Sequence, residues 1–321
     1  MYFPAFDNPT NHYGIAHDSD GDRSQSALAS LGWNDFTLSG AFSNREKQVP
    51  TASFGTVFDD GREETTDLRG YLDLKFQHEF SEDTKLMARV SYDLYSYHGI
   101  YPYYATNSAA LFNPAQVVIN HDEALGEWVG TEWQLTQKLF DRHTLVAGMD
   151  YRENLEQLQH NYYAEPGFED IRIDRGSGRN EGVFGQAEIN LLTNLTFNGG
   201  LRYDNYDSFG ETLNPRLGLI YSPWQPTTFK LLYGQAFRAP NVFELYYEAP
   251  GSNKPNPGLS PETIRTYELV YEQYLPANLR FSASGYYYEI HHLISQQVDA
   301  LGQTYYANVD QTQAEGGMAR P

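Results

Sequence analysis

Carboxylates at alternate positions around a glycine, in Asp18-Ser19-Asp20-Gly21-Asp22, make the first stretch of this sequence that could hold a ligand. Oxygen donors spaced in this way open a calcium loop, because a hard cation needs several of them to converge. Asp18, Asp20 and Asp22 are therefore candidate ligands of one structural Ca2+. No glutamate follows at the spacing that completes an EF-hand loop, and an Asx turn uses the same residues. His291-His292 offers nitrogen donors, but adjacent strand residues point to opposite faces and no further ligand is near. A solvated strand end accounts for that pair. Glu244 and Glu248 could stand as an acid/base pair, yet nothing in so polar a loop fixes their separation or raises a pKa. No nucleophile elbow, zinc-protease motif or phosphate loop occurs, and there is no cysteine. The chain is expected not to be an enzyme and to carry no cofactor beyond the calcium.

The larger chemical resource is aromatic, with 26 tyrosines. Tyr101, Tyr103, Tyr104, Tyr162, Tyr163, Tyr246 and Tyr247 fall in long polar connections, where rings supply contact area with a polar handle. They are the candidate ligand-binding residues. A girdle of interfacial aromatics or loop packing would use the same rings.

These residues need elements to hold them, and the elements follow a period of two. Leu68, Gly70, Leu72, Leu74 and Phe76 alternate with Arg69, Tyr71, Asp73, Lys75 and Gln77. Residues 213–222 and 227–238 form a hairpin over a short turn, as do 263–274 and 279–290 over the turn 275–278. Between them lies the long loop 239–262. The same short-then-long rhythm recurs around the loops 99–122 and 161–179, with Trp33, Phe80, Phe140 and Trp224 beside the short turns. Long amphipathic strands, short turns at one end and long loops at the other are the requirements of a transmembrane β-barrel. The fold class is all-β and antiparallel, with about thirteen strands by this reading of the alternation.

The balance of 22 basic against 42 acidic residues, a formal charge of −20, excludes nucleic acid as a partner, since phosphates would be repelled. Mean hydropathy is low at −0.59, and no apolar run approaches the roughly 18 residues of a spanning helix. A barrel escapes that test because only alternate residues face lipid. A soluble acidic β-rich binding module is the alternative, but its strands would be joined by short connections at both ends. A passive porin is another, with an open lumen.

Gly234-Gln235-Ala236-Phe237-Arg238-Ala239-Pro240-Asn241, followed by Phe243-Glu244-Leu245-Tyr246, resembles the barrel of TonB-dependent outer-membrane receptors. Leu213-Asn214-Pro215-Arg216-Leu217-Gly218-Leu219, Asn256-Pro257-Gly258-Leu259-Ser260-Pro261-Glu262-Thr263 and Tyr267-Glu268-Leu269 add to it in the same order. The resemblance spans nearly the whole chain. It implies a barrel of about 22 strands filled by a plug, in the outer membrane of a Gram-negative bacterium. It also implies uptake of an iron-siderophore complex or cobalamin, energised through TonB. Against that pattern, residues 1–321 read as an internal fragment of the barrel, with the N-terminal plug and the first and last strands missing. Arg69, Asp73, Arg89, Asp93, Arg202, Arg216, Arg238 and Glu268 lie on the polar faces of their strands, toward the lumen and that missing plug. The expected partners are outer-membrane lipid, the plug and through it TonB, and a siderophore or cobalamin-like ligand.

Overall fold

Alternating side chains build strands because successive residues of an extended backbone point to opposite faces. The computed structural model describes residues 1–105, 117–165, 170–174, 176–249, 251–276 and 279–320. Its strands are β1 (Asp22–Trp33), β2 (Phe36–Gln48), β3 (Glu64–Glu79), β4 (Thr84–Tyr104), β5 (Val117–Leu139), β6 (His143–Tyr163), β7 (Asp170–Asp174), β8 (Gly178–Leu192), β9 (Leu195–Tyr206), β10 (Gly210–Trp224), β11 (Thr227–Arg238), β12 (Glu262–Leu275), β13 (Leu279–Val298) and β14 (Thr304–Arg320). One short helix, α1 (Val242–Tyr246), stands between β11 and β12. The strands form one 14-stranded sheet in chain order, with β7 off the path against β6. Leaving β7 aside, the path itself holds the thirteen strands that the alternation predicts.

The short turns fall where expected. Asn34, Phe140 and Asp141 take left-handed backbone at φ 50°, 54° and 56°, which lets one or two residues reverse the chain. Of the turn after β12, residues 277 and 278 lie outside the described residues.

The long connections differ from expectation. Residues 99–122 contain the end of β4 and the start of β5, so Tyr101, Tyr103 and Tyr104 are strand residues. Tyr162 and Tyr163 likewise end β6, and β13 runs past Ile290 to Val298. Pairing continues where the apolar face stops, because backbone groups need ladder partners whatever the side chains are. The signal that fades there is lipid contact. Strands of 21, 23 and 21 residues in β4, β5 and β6 are about twice the 9–11 that a bilayer requires.

Two compact units divide the chain: residues 1–74, 90–129 and 153–178, and residues 75–89, 130–152 and 179–321. In the first, Leu72 is 54% exposed while its neighbour Asp73 is 8% exposed. The N-terminal segment packs Phe3 and Phe6 against Phe58, the latter pair stacked at 4.4 Å. Gly14 turns that segment at φ 71°, where a Cβ would meet the Phe3 carbonyl oxygen at 2.4 Å, so no other residue fits.

In the second unit an apolar row crosses five strands through the register pairs Ile189–Phe197, Phe197–Leu219, Leu219–Leu231 and Leu231–Leu269. The opposite face carries buried Asp204, Asn214 and Glu272. Exposed leucines and buried carboxylates are the inverse of a water-soluble sheet and fit one face against lipid. A small apolar core of Leu245, Leu259 and Ile294, with Tyr246 and Tyr306 against it, holds the 239–262 loop. Asn241 and Glu244 form a capping box at the start of α1.

Candidate ligand-binding site

The end of the sheet with long connections is the extracellular one in barrels of this build. In the first unit the strands deliver two arrays there, one on each face. Asp93, Tyr97, Tyr101 and Tyr103 share a face of β4. The Tyr97 and Tyr101 hydroxyls hydrogen-bond to each other, and Phe54 meets the Tyr101 ring edge-on at 6.1 Å. Tyr103 lies 6.4 Å from Tyr163. Asn120 and Asn161 exchange amide hydrogen bonds of 2.9 and 3.1 Å across β5 and β6. Rings and carboxamides thus alternate on one polar, ring-lined surface.

The other face of the same strands holds a column of four rings. His98 stacks on His121 at 5.5 Å, His121 on Tyr162 at 5.0 Å, and Tyr162 on His160 at 4.4 Å. The Tyr162 hydroxyl donates to Glu123 Oε1 at 3.1 Å, and His160 Nε2 lies 2.7 Å from Asp170 Oδ1. Tyr162 and Tyr163, neighbours in sequence, therefore join different arrays. The histidines carry no sequence signal, since His98, His121 and His160 come together only through the register of three strands.

Glu63, in the connection before β3, is buried, and Thr56 Oγ1 donates to its Oε2 at 2.7 Å. Its Oε1 has no partner among the described residues. Burial pushes its carboxyl up to about 7, against the pull of the Thr56 hydrogen bond.

In the second unit the lumen charges occur mostly in pairs. Arg202 Nη1 lies 2.8 Å from Asp150, and its Nε donates to Asp204 at 2.9 Å. Arg89 faces Glu132 at 3.7 Å, and Lys230 lies 3.0 Å from Glu272, which Arg280 also contacts. Arg238 makes a two-pronged contact with Glu262 at 2.7 and 2.9 Å and reaches Glu244 at 3.1 Å. Glu244 is thereby committed to structure, both to Arg238 and to the capping box. In the first unit Arg69 pairs with Asp93 at 3.3 Å and lies 4.5 Å from the Trp128 ring. Asp73 is buried on the same polar side of β3.

Glu132, Asp150, Arg202, Asn214, Arg216 and Gln235 line a concave site of about 680 Å3. Among the described residues Arg216 forms no ion pair, so it is the cation of this site left over once Arg202 is bound to its two aspartates. Glu268 lines an adjoining depression with Arg216.

The remaining candidates are dispersed. Tyr246 packs on the Leu245 core, and Tyr247 stacks on Phe243 at 4.3 Å. Asp22 is bound by Arg45 at 3.0 Å, and the Asp20 carbonyl accepts from Lys47 at 2.8 Å. Asp18, Asp20 and Asp22 do not converge; among the described residues the metal-donor side chains that do are His12, His17 and Asp59. His291 lies 3.3 Å from Glu289, beside a left-handed His292 at φ 56°.

An antiparallel wall with an apolar face for lipid and a charged face for a lumen defines an outer-membrane β-barrel protein. A sequence profile described as TonB dependent receptor-like, beta-barrel matches residues 7–317. The chain belongs to that family, whose members stand in the outer membrane of Gram-negative bacteria. It is similar to the Vitamin B12 transporter BtuB of Vibrio cholerae serotype O1, 25% identical over 305 residues that cover 83% of this chain and 48% of that protein. The BtuB of Vibrio vulnificus is 28% identical over 175 residues, 54% of this chain and 26% of the relative. A ferric enterobactin receptor mutant from Pseudomonas aeruginosa, solved in complex with enterobactin, superposes with a TM-score of 0.69 at 17% identity, covering 93% of this chain and 49% of that one. The siderophore receptor PirA from Acinetobacter baumannii gives 0.65 at 14%, covering 92% and 49%. These superpositions establish the fold. The chain spans less than half the length of the curated relatives it matches.

Proposed function

We propose that this chain is the wall of a receptor that takes up an iron-siderophore complex or cobalamin, binding it at the extracellular loops and in the lumen. Transport through the wall would draw on a plug and, through it, on TonB. The observation that carries the reading is the ring and carboxamide surface of Tyr97, Tyr101, Tyr103, Tyr163, Asn120 and Asn161 at the long-loop end. Large ligands with apolar faces and hydrogen-bonding edges suit rings with a polar handle. The relatives support both ligand classes, one by name as a vitamin B12 transporter and another as a ferric enterobactin receptor. Tyr101, Tyr103, Tyr104 and Tyr163 on the strands, Tyr162 in the ring column and Tyr246 and Tyr247 beside the 239–262 loop are the proposed contact residues.

Labelled cyanocobalamin and ferric enterobactin, each titrated onto outer membranes carrying the whole receptor, test this. One of the two should bind, and Tyr103→Ala combined with Tyr163→Ala should weaken it by roughly tenfold, the loss expected when a stacked aromatic contact worth about 1 to 1.5 kcal/mol is removed. Failure of both ligands to bind, or a steady ionic conductance of the receptor in planar bilayers, would reject the reading in favour of a passive pore.

A further inference from the structure

Before β1 the chain coils through two 3-10 turns, and between β2 and β3 it makes a second excursion; at one point these two segments present three metal-donor atoms to one another. His12 Nδ1 lies 3.6 Å from Asp59 Oδ2, and His17 Nδ1 lies 3.7 Å from the same oxygen. The donor atoms of all three residues fall within 4.8 Å of one another. The two distances to Asp59 Oδ2 are too long for hydrogen bonds, whose donor–acceptor distances end near 3.2 Å. They are close to the edge of a tetrahedron around a metal with ligand bonds of about 2.1 Å, an edge of roughly 3.4 Å.

The carboxylate is oriented for this task. Its other oxygen, Oδ1, accepts from the His17 backbone N–H at 2.8 Å and from Ser19 Oγ at 2.6 Å, which leaves Oδ2 aimed between the two imidazoles. The Asp59 side chain is 7% exposed, whereas those of His12 and His17 are 72% and 65% exposed. Such a carboxylate is fixed from behind, as the outer partners of metal ligands fix them, and its open side faces solvent. Stacking of Phe6 on the neighbouring Phe58 holds the two segments in register. His12 and Asp59 both occupy left-handed backbone, at φ 47° and 58°, a conformation that costs energy in residues other than glycine and that here turns both side chains toward the shared point.

We propose that His12 Nδ1, His17 Nδ1 and Asp59 Oδ2 bind a divalent first-row transition-metal ion of the zinc or copper type, tying the segment before β1 to the connection between β2 and β3. Two imidazole nitrogens and one carboxylate oxygen select such an ion over calcium, which takes oxygen ligands in larger number. The coordination positions on the solvent side are open to water or to a donor carried by a bound ligand.

Purified whole receptor in detergent, stripped with EDTA, is titrated with Zn(II) by calorimetry and with Cu(II) by electron paramagnetic resonance. One ion per chain should bind in the micromolar range or tighter, and the copper spectrum should show coupling to two imidazole nitrogens. His12→Ala and His17→Ala change exposed side chains, so the fold should persist while affinity falls by roughly tenfold or more, with one nitrogen lost from the copper spectrum in each. Asp59→Asn should also abolish binding; because Asp59 supports its own loop, the histidine variants decide the matter. The double variant His98→Ala with His121→Ala controls for the second group of histidines and should bind as the parent does. Unchanged affinity in both His12→Ala and His17→Ala, loss of the ion in the His98/His121 variant instead, or full displacement by millimolar Ca2+ would each overturn the proposal.

Discussion

The lumen face of the second unit and the extracellular rim of the first both bury carboxylates, but they satisfy them differently. On the lumen face buried Asp204 and Glu272, and the partly exposed Asp150, each meet an arginine or lysine. At the rim Asp59 accepts hydrogen bonds from a backbone N–H and a serine hydroxyl, with the exposed His12 and His17 rings 3.6 and 3.7 Å from its other oxygen, and Glu63 accepts from one threonine hydroxyl. A buried carboxylate paired with a cation is internally neutral and makes a fixed wall, whereas one held by neutral donors keeps its charge, or its proton, as something a ligand or a pH change can act on. The wall's carboxylates are matched by cations, whereas Asp59 and Glu63 at the rim meet no arginine or lysine among the described residues.

The largest test of that contrast is on the wall itself. Leu231 and Leu232 are adjacent, and only the former belongs to the apolar row, where it is 59% exposed. Leu231→Arg should cost about 2–4 kcal/mol of folding into a bilayer, as a cation does at midplane on the lipid face. Leu232→Arg, directed to the polar side, should cost far less. Equal losses in a urea titration of the receptor in vesicles would mean that the faces are misassigned.

Next in size is the wall's ion-pair network. Arg202→Met leaves Asp204, 1% exposed, without its cation, and should destabilise the receptor by about 2 kcal/mol. That is below the roughly 3–5 kcal/mol typical of a fully buried pair, because the guanidinium is partly solvated. Adding Asp204→Asn should recover much of the loss. A single variant as stable as the parent would show that the wall does not depend on its pairing, and the distinction from the rim would lapse.

These positions also separate what the amino-acid order declares from what only the fold assembles. Leu231 and Arg202 declare their faces through alternation, since lipid on one side and lumen on the other impose a two-residue period that any strand records. Thirteen strands, the short turns and the lumen charges follow from it. Tyr101 and Tyr162 do not declare their place, because beyond the bilayer neither face is lipid and the period loses its apolar marker while the ladder continues. His12, His17 and Asp59 are invisible in the sequence for another reason. His17 and Asp59 lie 42 residues apart at the span of their hydrogen bond, and loop packing, which has no sequence period, brings them together. The alternate carboxylates of Asp18, Asp20 and Asp22 have the more familiar spacing, yet the fold gives Asp22 to Arg45.

The smallest expected effect is confined to the rim. Glu63, raised to about 7 by burial, holds a proton in the folded loop that an unfolded glutamate with its ordinary value near 4.5 has already released. Between those two values the folded loop binds more protons than the open one, so its stability is greatest below about 4.5, declines as pH rises, and levels off above about 7. Asp60, two positions from Arg62 and held below the usual carboxylate range by it, contributes in the opposite sense. Its contribution is lost only as the pH drops below the ordinary aspartate value, so the two windows do not overlap. Hydrogen exchange of residues 49–63, followed at pH 5 and pH 8 with EDTA present and corrected for intrinsic rates, should therefore show weaker protection at pH 8. Glu63→Gln, neutral throughout, should remove that difference, while exchange in β10 and β11 stays the same in both proteins. If the glutamine variant loses protection at pH 8 as the parent does, another group controls the loop, and the rim's carboxylates are no more responsive than those of the wall.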